Sequence, residues 1–186
     1  MRYPDGHKDA VRDRIVEAAS RALRQHGLEG IGIPALMKLA GLSHGGFYGH
    51  FEDRDELVVA AVEYAAQETA SSVFKEGASI SSIADAYLSV RHCERREHGC
   101  VVAALAAESP RQPASVRHAF GRITHGFLAL VERALHSQRP KSPPSDDALA
   151  AAATIVGAIV LSRSVEDPAL AERILVSAKK AVTSRA

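Results

Sequence analysis

The sequence has few cysteines, few aromatic residues and almost no net charge. Its 186 residues include two cysteines, no tryptophan and 5% aromatic residues, and 23 lysines and arginines stand against 22 aspartates and glutamates. Two cysteines are too few for a disulfide framework, so the sequence suits a reducing compartment. The net charge of +1 excludes a global positive field, so any binding to nucleic acid must depend on where individual cations are placed.

The sequence also lacks a long apolar run. The longest candidate, residues 148–161, is interrupted by Thr154 and is shorter than the roughly 20 residues that span a bilayer. Residues 1–8 lack the apolar segment of a secretory signal. We therefore expect a cytoplasmic protein with no membrane partner. With 46% hydrophobic and 24% charged residues, the composition is that of a globular protein that needs no metal or disulfide to hold its core.

Apolar residues recur at helical spacing along most of the chain, and no stretch alternates as a strand does. We predict an all-α fold of about nine helices, with an N-terminal domain over residues 1–52 and a C-terminal domain over residues 53–186. The expected helices cover residues 9–26, 34–40, 44–50, a long helix that starts at a capping box of Asp53 and Glu56, residues 80–88 and 100–108, a helix from Pro113, residues 148–161, and a helix from Asp167. We expect a loop over residues 91–99 and a linker over residues 137–147.

The most informative stretch, residues 33–57, has the pattern of two short helices joined by a tight turn. Gly41 supplies the turn, and Ser43 is placed to cap the second helix. Phe47 and Phe51 are four residues apart and are expected to share the buried side of that helix. This arrangement is a helix-turn-helix, in which the second helix can enter the major groove of DNA.

These residues resemble the tetracycline-repressor (TetR) family of bacterial transcription regulators. The family pattern is Ala-Gly-Val-Ser-x-Gly-x-aromatic-Tyr-x-His-Phe, followed after two residues by Lys-x-x-Leu. In this sequence it stands as Ala40-Gly41-Leu42-Ser43-His44-Gly45-Gly46-Phe47-Tyr48-Gly49-His50-Phe51 and Arg54-Asp55-Glu56-Leu57. The remaining two thirds of the chain agrees with the family only in the number and order of helices.

The resemblance implies a ligand-responsive transcriptional regulator, expected to be a repressor, that binds a palindromic operator in double-stranded DNA as a homodimer. A small-molecule effector of unknown identity would release it from the DNA. Carried over position by position, the DNA-binding residues are Ser43, His44, Gly45, Gly46, Tyr48, His50 and Arg54. Tyr48 is expected to bond a phosphate, and Arg54 takes the place of the family's lysine at a helix N-terminus. His50 matches the family histidine, for which a packing role is equally open.

The sequence departs from the family pattern at two positions in this unit. Gly32 stands where a serine or threonine commonly caps the second helix of the chain, expected over residues 34–40. Gly46 replaces a frequent threonine. Gly46 leaves His44 as the main long side chain able to reach a base edge. Gly46 and Gly49 each weaken a helix by about 1 kcal/mol relative to alanine, so we expect a recognition helix that is loosely held without DNA.

The resemblance also implies a ligand pocket and a dimer interface in the C-terminal domain. The expected pocket residues are Tyr64, Tyr87, Cys100, Phe120 and Phe127, although aromatic residues at helical spacing are often core residues. Residues 148–161 are apolar on nearly every face, so we expect the chain's own domain to cover one side and a partner subunit the other. The expected interface residues are Ala151, Ala152, Ile155, Gly157, Ala158, Leu161 and Ile174. The alternative is that this helix lies in a monomer core.

The sequence gives little support to two other classes of function. An enzyme finds no support, because no Gly-x-Ser-x-Gly, His-Glu-x-x-His or paired-carboxylate motif appears, so we predict no catalytic residue and no cofactor. His92, Cys93, His98 and Cys100 could hold a metal or sense oxidation. Their spacing matches no common zinc pattern and the neighbouring arginines repel a cation, so we predict no metal site. A thiol- or metal-responsive regulator of the same fold is the alternative function.

Overall fold

The computed structural model describes residues 7–136 and 140–184. Over those residues the chain forms helices and no strand, which confirms the predicted all-α fold. The α-helices in the described part are α1 (His7–His26), α2 (Ile33–Leu39), α3 (Arg54–Val73), α4 (Ile80–Tyr87), α5 (Val90–Glu94), α6 (Val101–Leu105), α7 (Ala114–Leu135), α8 (Asp146–Ser164) and α9 (Pro168–Thr183). Short 3₁₀ helices cover His44–Gly49, Arg96–His98 and Ser109–Arg111. We call His44–Gly49 the recognition segment.

Glycines end the first two helices. Gly27 has a φ of 88° and Gly41 a φ of 72°, both in the left-handed region that glycine adopts without strain. After α2, the amide of Gly41 donates to the Lys38 carbonyl at 3.0 Å and that of Leu42 to the Met37 carbonyl at 2.9 Å. These are the two hydrogen bonds of a Schellman motif. The predicted tight turn at Gly41 is therefore confirmed, and it folds the recognition segment against α2.

The start of α3 carries the predicted cap. The carboxylate of Asp53 accepts a hydrogen bond from the Glu56 amide at 2.8 Å. Glu56 reaches back to the amide of Glu52 at 2.7 Å, one residue earlier than in a standard capping box. That hydrogen bond is the main reason that the pKa of Glu56 lies below its ordinary value. The cap starts a helix of 20 residues that packs on both α1 and α7.

Several local predictions were wrong. The recognition segment is a 3₁₀ helix rather than an α-helix, because three of its six residues are glycines with low helix propensity. Ser43 stands at its N-cap, but the serine side chain makes no capping hydrogen bond. Residues 91–99, expected as a loop, contain most of α5, which Ser89 caps by accepting from the His92 amide at 3.2 Å. The helix expected over residues 100–108 is confined to α6.

Buried side chains form two apolar clusters. The first joins α1, α2, the recognition segment and α3, and its fully buried members include Ile15, Leu23, Leu36, Met37, Phe47 and Leu57. The second joins α4, α7, α8 and α9, and it includes Ile83, Tyr87, Ile155 and Ile159. The first cluster also takes in Val101 from α6 and Phe120 from α7, so the two cores are not divided at residue 52. The boundary between residues 52 and 53 remains a prediction.

Helix α8 is long and apolar enough to cross a membrane by length and composition alone. On one side of it, Ala151, Ile155 and Ile159 are fully buried, and the helix packs on α7 and α9. Packing accounts for the apolar residues on this side, whereas Leu149, Val160 and Leu161 of the same helix are exposed.

A buried carboxylate fixes the connection from α7 to α8. Glu132 is 1% exposed. It accepts hydrogen bonds from the amides of Lys141 at 2.8 Å and Ser145 at 2.9 Å, and from the Ser145 hydroxyl at 2.7 Å. Burial raises the pKa of Glu132, but the hydrogen bonds outweigh burial and bring its pKa down to about 2. Because Ser145 also caps α8, the carboxylate orders the start of that helix. Residues 137–139 of the predicted linker lie outside the described residues.

Replacement of Glu132 by glutamine is expected to lower the free energy of unfolding by about 1–3 kcal/mol at neutral pH, because the amide presents a donor where three donors converge. The carboxylate contribution is complete above the ordinary pKa of 4.5 and is lost as the pH falls toward about 2. Urea unfolding of both proteins should therefore show a difference that shrinks in acid. Glu63→Gln is the control, because Glu63 forms only an exposed ion pair with Arg122. Equal losses in the two variants would contradict the assigned role.

Candidate nucleic-acid interface and associated cavity

The recognition segment presents Tyr48 to solvent over a buried aromatic pair. The Tyr48 side chain is 68% exposed, whereas Phe47 and Phe51 are buried. The rings of Phe47 and Phe51 stack with centroids 5.6 Å apart, and Tyr48 meets the Phe47 ring edge-on at 5.2 Å. The predicted division between a buried and an outward side is confirmed. The predicted contact residues Ser43, His44, Gly45 and Gly46 are also exposed.

Because three of its six residues are glycines, the outer surface of the recognition segment has few protruding side chains. A Cβ atom added at Gly45 or Gly49 would meet no atom within 4 Å, and one added at Gly46 would meet only the Met37 Cε at 3.8 Å. Packing against the protein therefore does not require glycine at these positions. The effect is on the outer side, where His44 and Tyr48 are the only long side chains and the backbone is open to a close approach.

Cations from the start of α1 lie beside the C-terminal end of the recognition segment. The guanidinium of Arg12 lies 4.7 Å from the centroid of the Phe51 ring and pairs with the Glu56 carboxylate at 3.0 Å. The pKa of His50 is lowered by burial and then by the charges of Lys8 and Arg12. The His50 Nδ1 is buried and has no hydrogen-bond partner in the described structure. Such a group of cationic side chains favours an anion such as phosphate.

The structure places Arg54 against the chain's own backbone. Its Nη2 donates to the carbonyl of Leu28, and its Nη1 lies 3.9 Å from the Glu29 carboxylate. The side chain therefore fixes the start of α3 to the connection between α1 and α2. The described contacts of Arg54 support a role in positioning the start of α3. A phosphate contact from Arg54 remains a prediction.

A cavity of about 330 Å³ lies between α3, α6 and α7. Of the five predicted pocket residues, Cys100 and Phe127 line it, whereas Tyr64, Tyr87 and Phe120 do not. Tyr87 is fully buried, and burial raises the pKa of its hydroxyl well above the ordinary value. Phe74 also lines the cavity, and the small and apolar lining residues Ala66, Ala70, Val102, Ile123, Ala129 and Leu130 were not predicted as pocket residues. Helical spacing identified Ile123 and Leu130 as inward-facing but did not distinguish a cavity wall from a packed core.

The ring of His92 on α5 is bonded to the chain's own backbone. His92 accepts a hydrogen bond from the Cys100 amide through Nε2 at 3.0 Å, and its Nδ1 lies 2.6 Å from the Tyr87 carbonyl. Burial lowers the pKa of His92. Within residues 7–136 and 140–184, no three histidine, cysteine or acidic side chains are grouped as metal ligands. Cys93 and Cys100 are both free thiols.

Large apolar side chains are exposed on α8 and α9. They are Leu149, Val160, Leu161, Leu170 and Val176, and together we call them the α8–α9 surface. Among the predicted interface residues, Leu161 is exposed and Gly157 and Ile174 are partly buried. Ala151, Ala152, Ile155 and Ala158 are buried in the chain's own core. Helical spacing could have identified the exposed side of α8, because positions 149, 157, 160 and 161 lie on one face of the helix.

One family model matches the N-terminal part of the chain. Residues 15–61 match the family model described as bacterial regulatory proteins, tetR family. No curated protein matches the sequence of the chain.

Solved structures resemble the chain over almost its whole length. A TetR transcriptional regulator from Chloroflexus aurantiacus J-10-FL is 24% identical, covers 95% of this chain and 96% of its own, and has a TM-score of 0.73. A TetR-family regulator from Cytophaga hutchinsonii is 17% identical, with 98% of both chains covered and a TM-score of 0.73. AibR, in complex with isovaleryl coenzyme A and operator DNA, is 15% identical, with 92% of this chain and 97% of its own covered and a TM-score of 0.65. Residues 15–61 therefore resemble the tetR family of bacterial regulatory proteins in sequence, and the described chain shares the fold of these solved regulators.

Proposed function

We propose that the protein is a cytoplasmic repressor that binds a palindromic operator as a homodimer and leaves the DNA when a small molecule binds its C-terminal domain. The observation that carries the proposal is the recognition segment, which holds Tyr48 and His44 outward over the buried Phe47 and Phe51. Two such segments in a dimer would fit successive major grooves about 34 Å apart. The family-model match over residues 15–61 and the operator complex of AibR support DNA as the partner. A catalytic role forms no part of the proposal.

The α8–α9 surface supports a dimer. Leu161 is 56% exposed, and it lies next to Val160 on the outer side of α8. An exposed apolar surface of this kind on a soluble protein marks an interaction site, because water contact with it is unfavourable. Gly157, on the same side, permits close approach of another helix. A second copy of the chain, related by a twofold axis, would cover both surfaces at once.

Helix α6 offers a route from the cavity to the DNA-binding helices. Cys100, Val101 and Val102 line the cavity. Beyond the C-terminal end of α6, the carboxylate of Glu108 accepts a hydrogen bond from the amide of Leu28 at 2.8 Å, just after α1 ends. A ligand that shifts α6 would therefore shift α1 and the recognition segment with it. Coupling free energies between such sites are typically about 1–3 kcal/mol, which is enough for release.

Replacement of Tyr48 by phenylalanine is expected to weaken operator binding about tenfold or more, because one hydrogen bond to a charged phosphate is lost. Stability should not change, since the side chain is 68% exposed. Selection of bound DNA from a random pool with the wild-type chain would supply the operator, and fluorescence anisotropy would give the affinities. Tyr64→Phe, a change on α3 away from the recognition segment, is the matched control and should bind like the wild type. Recovery of no palindrome by the wild-type chain would contradict the proposed function.

Replacement of Leu161 by glutamate is expected to weaken self-association by about 3 kcal/mol, or more than a hundredfold, because a charge would be buried without a partner. Val90→Glu is the control, because Val90 is 47% exposed on α5, away from the α8–α9 surface. Sedimentation equilibrium at micromolar concentration should show a dimer for the wild type and the control, and a monomer for L161E. A wild-type monomer would instead contradict the dimer.

A further inference from the structure

The cavity between α3, α6 and α7 has an apolar wall with one charged side chain at its edge. Phe74, Val101, Ile123, Phe127 and Leu130 supply most of the wall, together with small alanines. The polar groups among the lining residues are few, and the hydroxyl of Thr69 is already bonded to the Ala65 carbonyl. Arg133 is the only charged residue among the described lining residues, and it is exposed. A site of this size and composition suits a small, mainly apolar ligand.

The guanidinium of Arg133 is available to such a ligand. Within the described residues it forms no ion pair and no hydrogen bond. The adjacent Glu132 directs its carboxylate to the α7–α8 linker. Lys75 and Glu76 line a neighbouring cavity of about 420 Å³ that shares Arg133, but no described carboxylate lies within 4.0 Å of the guanidinium. A cation without a partner at the edge of an apolar cavity attracts an anionic group whose apolar body enters the cavity.

We propose that this cavity binds small amphipathic anions, with the apolar body among α3, α6 and α7 and the anionic group on Arg133. The proposal deepens the proposed function, on which it rests for the claim that the bound anion is the effector. Amines of the same size are disfavoured, because their charge would meet Arg133. Neutral alcohols bind through the apolar wall alone and therefore do not depend on Arg133.

The test uses octanoate, octanol and octylamine as probes, with binding to the full chain measured by calorimetry in the absence of DNA. Octanoate is expected to bind most tightly and octylamine least. Arg133→Gln should weaken octanoate binding about tenfold and leave octanol binding within about twofold, since only the charge-assisted hydrogen bond is lost. Arg122→Gln is the matched control on the same helix, because Arg122 is an exposed partner of Glu63 and does not line the cavity.

A second pair of variants tests the apolar part of the site. Gly126 lines the cavity, and a Cβ added there meets no atom within 4 Å. Gly126→Leu should therefore fold at least as well as the wild type, because leucine is the better helix former, while its side chain occupies the cavity mouth. Binding of both octanoate and octanol should fall in this variant. Gly121→Leu is the control, because Gly121 is equally open on α7 but lines a different pocket.

The outcomes separate this proposal from the proposed function. Octanoate binding that is unchanged in R133Q, or that is unchanged in G126L, overturns the amphipathic-anion site whatever the protein does with DNA. Octanoate binding that depends on both residues, in a protein that selects no operator, supports the amphipathic-anion site and contradicts the proposed regulatory function. When the protein has both the anion site and an operator, octanoate should lower the affinity of the wild type for that operator, and should lower it much less for R133Q.

Discussion

The guanidinium of Arg24 has no exposed surface, and its hydrogen bonds join three parts of the molecule. From α1 it donates to Ser20 on its own helix, to the Glu68 carboxylate of α3 at 2.7 Å, and to the Gly99 carbonyl before α6 at 2.9 Å. A buried cation without such partners would cost several kcal/mol. Burial alone would raise the pKa of Glu68, but Arg24 and His98 bring that pKa below its ordinary value. The mutual placement of α1, α3 and the segment before α6 is therefore a condition for burying this charge.

The same contact links the cavity to α1 at a second point. Gly99, held by Arg24, precedes the cavity-lining Cys100, and Glu108 holds the Leu28 amide beyond the other end of α6. Helix α6 is thus fixed to α1 and its following loop on both sides of the residues that a ligand would touch. A displacement of α6 would therefore act on α1 through two hydrogen bonds to charged groups, each worth about 1.5–3 kcal/mol.

Local signals in the sequence predicted local structure well and long-range contacts poorly. The turn at Gly41 and the cap at Asp53 were predictable, because their hydrogen bonds join residues close in sequence. The buried side of Phe47 followed from helical spacing. The contact of Arg54 with the Leu28 carbonyl was not predictable, because it depends on how α3 meets the loop after α1. Most of the cavity wall was not predictable for the same reason, since an inward-facing residue such as Ala70 looks the same whether or not the opposite helix touches it.

The recognition segment has few local features that stabilise a helix. It is a 3₁₀ helix with three glycines and no side-chain cap, so its position depends on Phe47 beneath it and on the hydrogen-bonded turn before it. The space around Gly45 and Gly49 shows that the glycines shape the outer surface rather than the inner packing. In the proposed function, this surface would let the backbone come close to a duplex, with His44 and Tyr48 as the only long side chains of the segment that reach it. In the proposed function, phosphate contacts and the sequence-dependent shape of DNA must therefore supply much of the affinity and selectivity that base-reading side chains supply elsewhere.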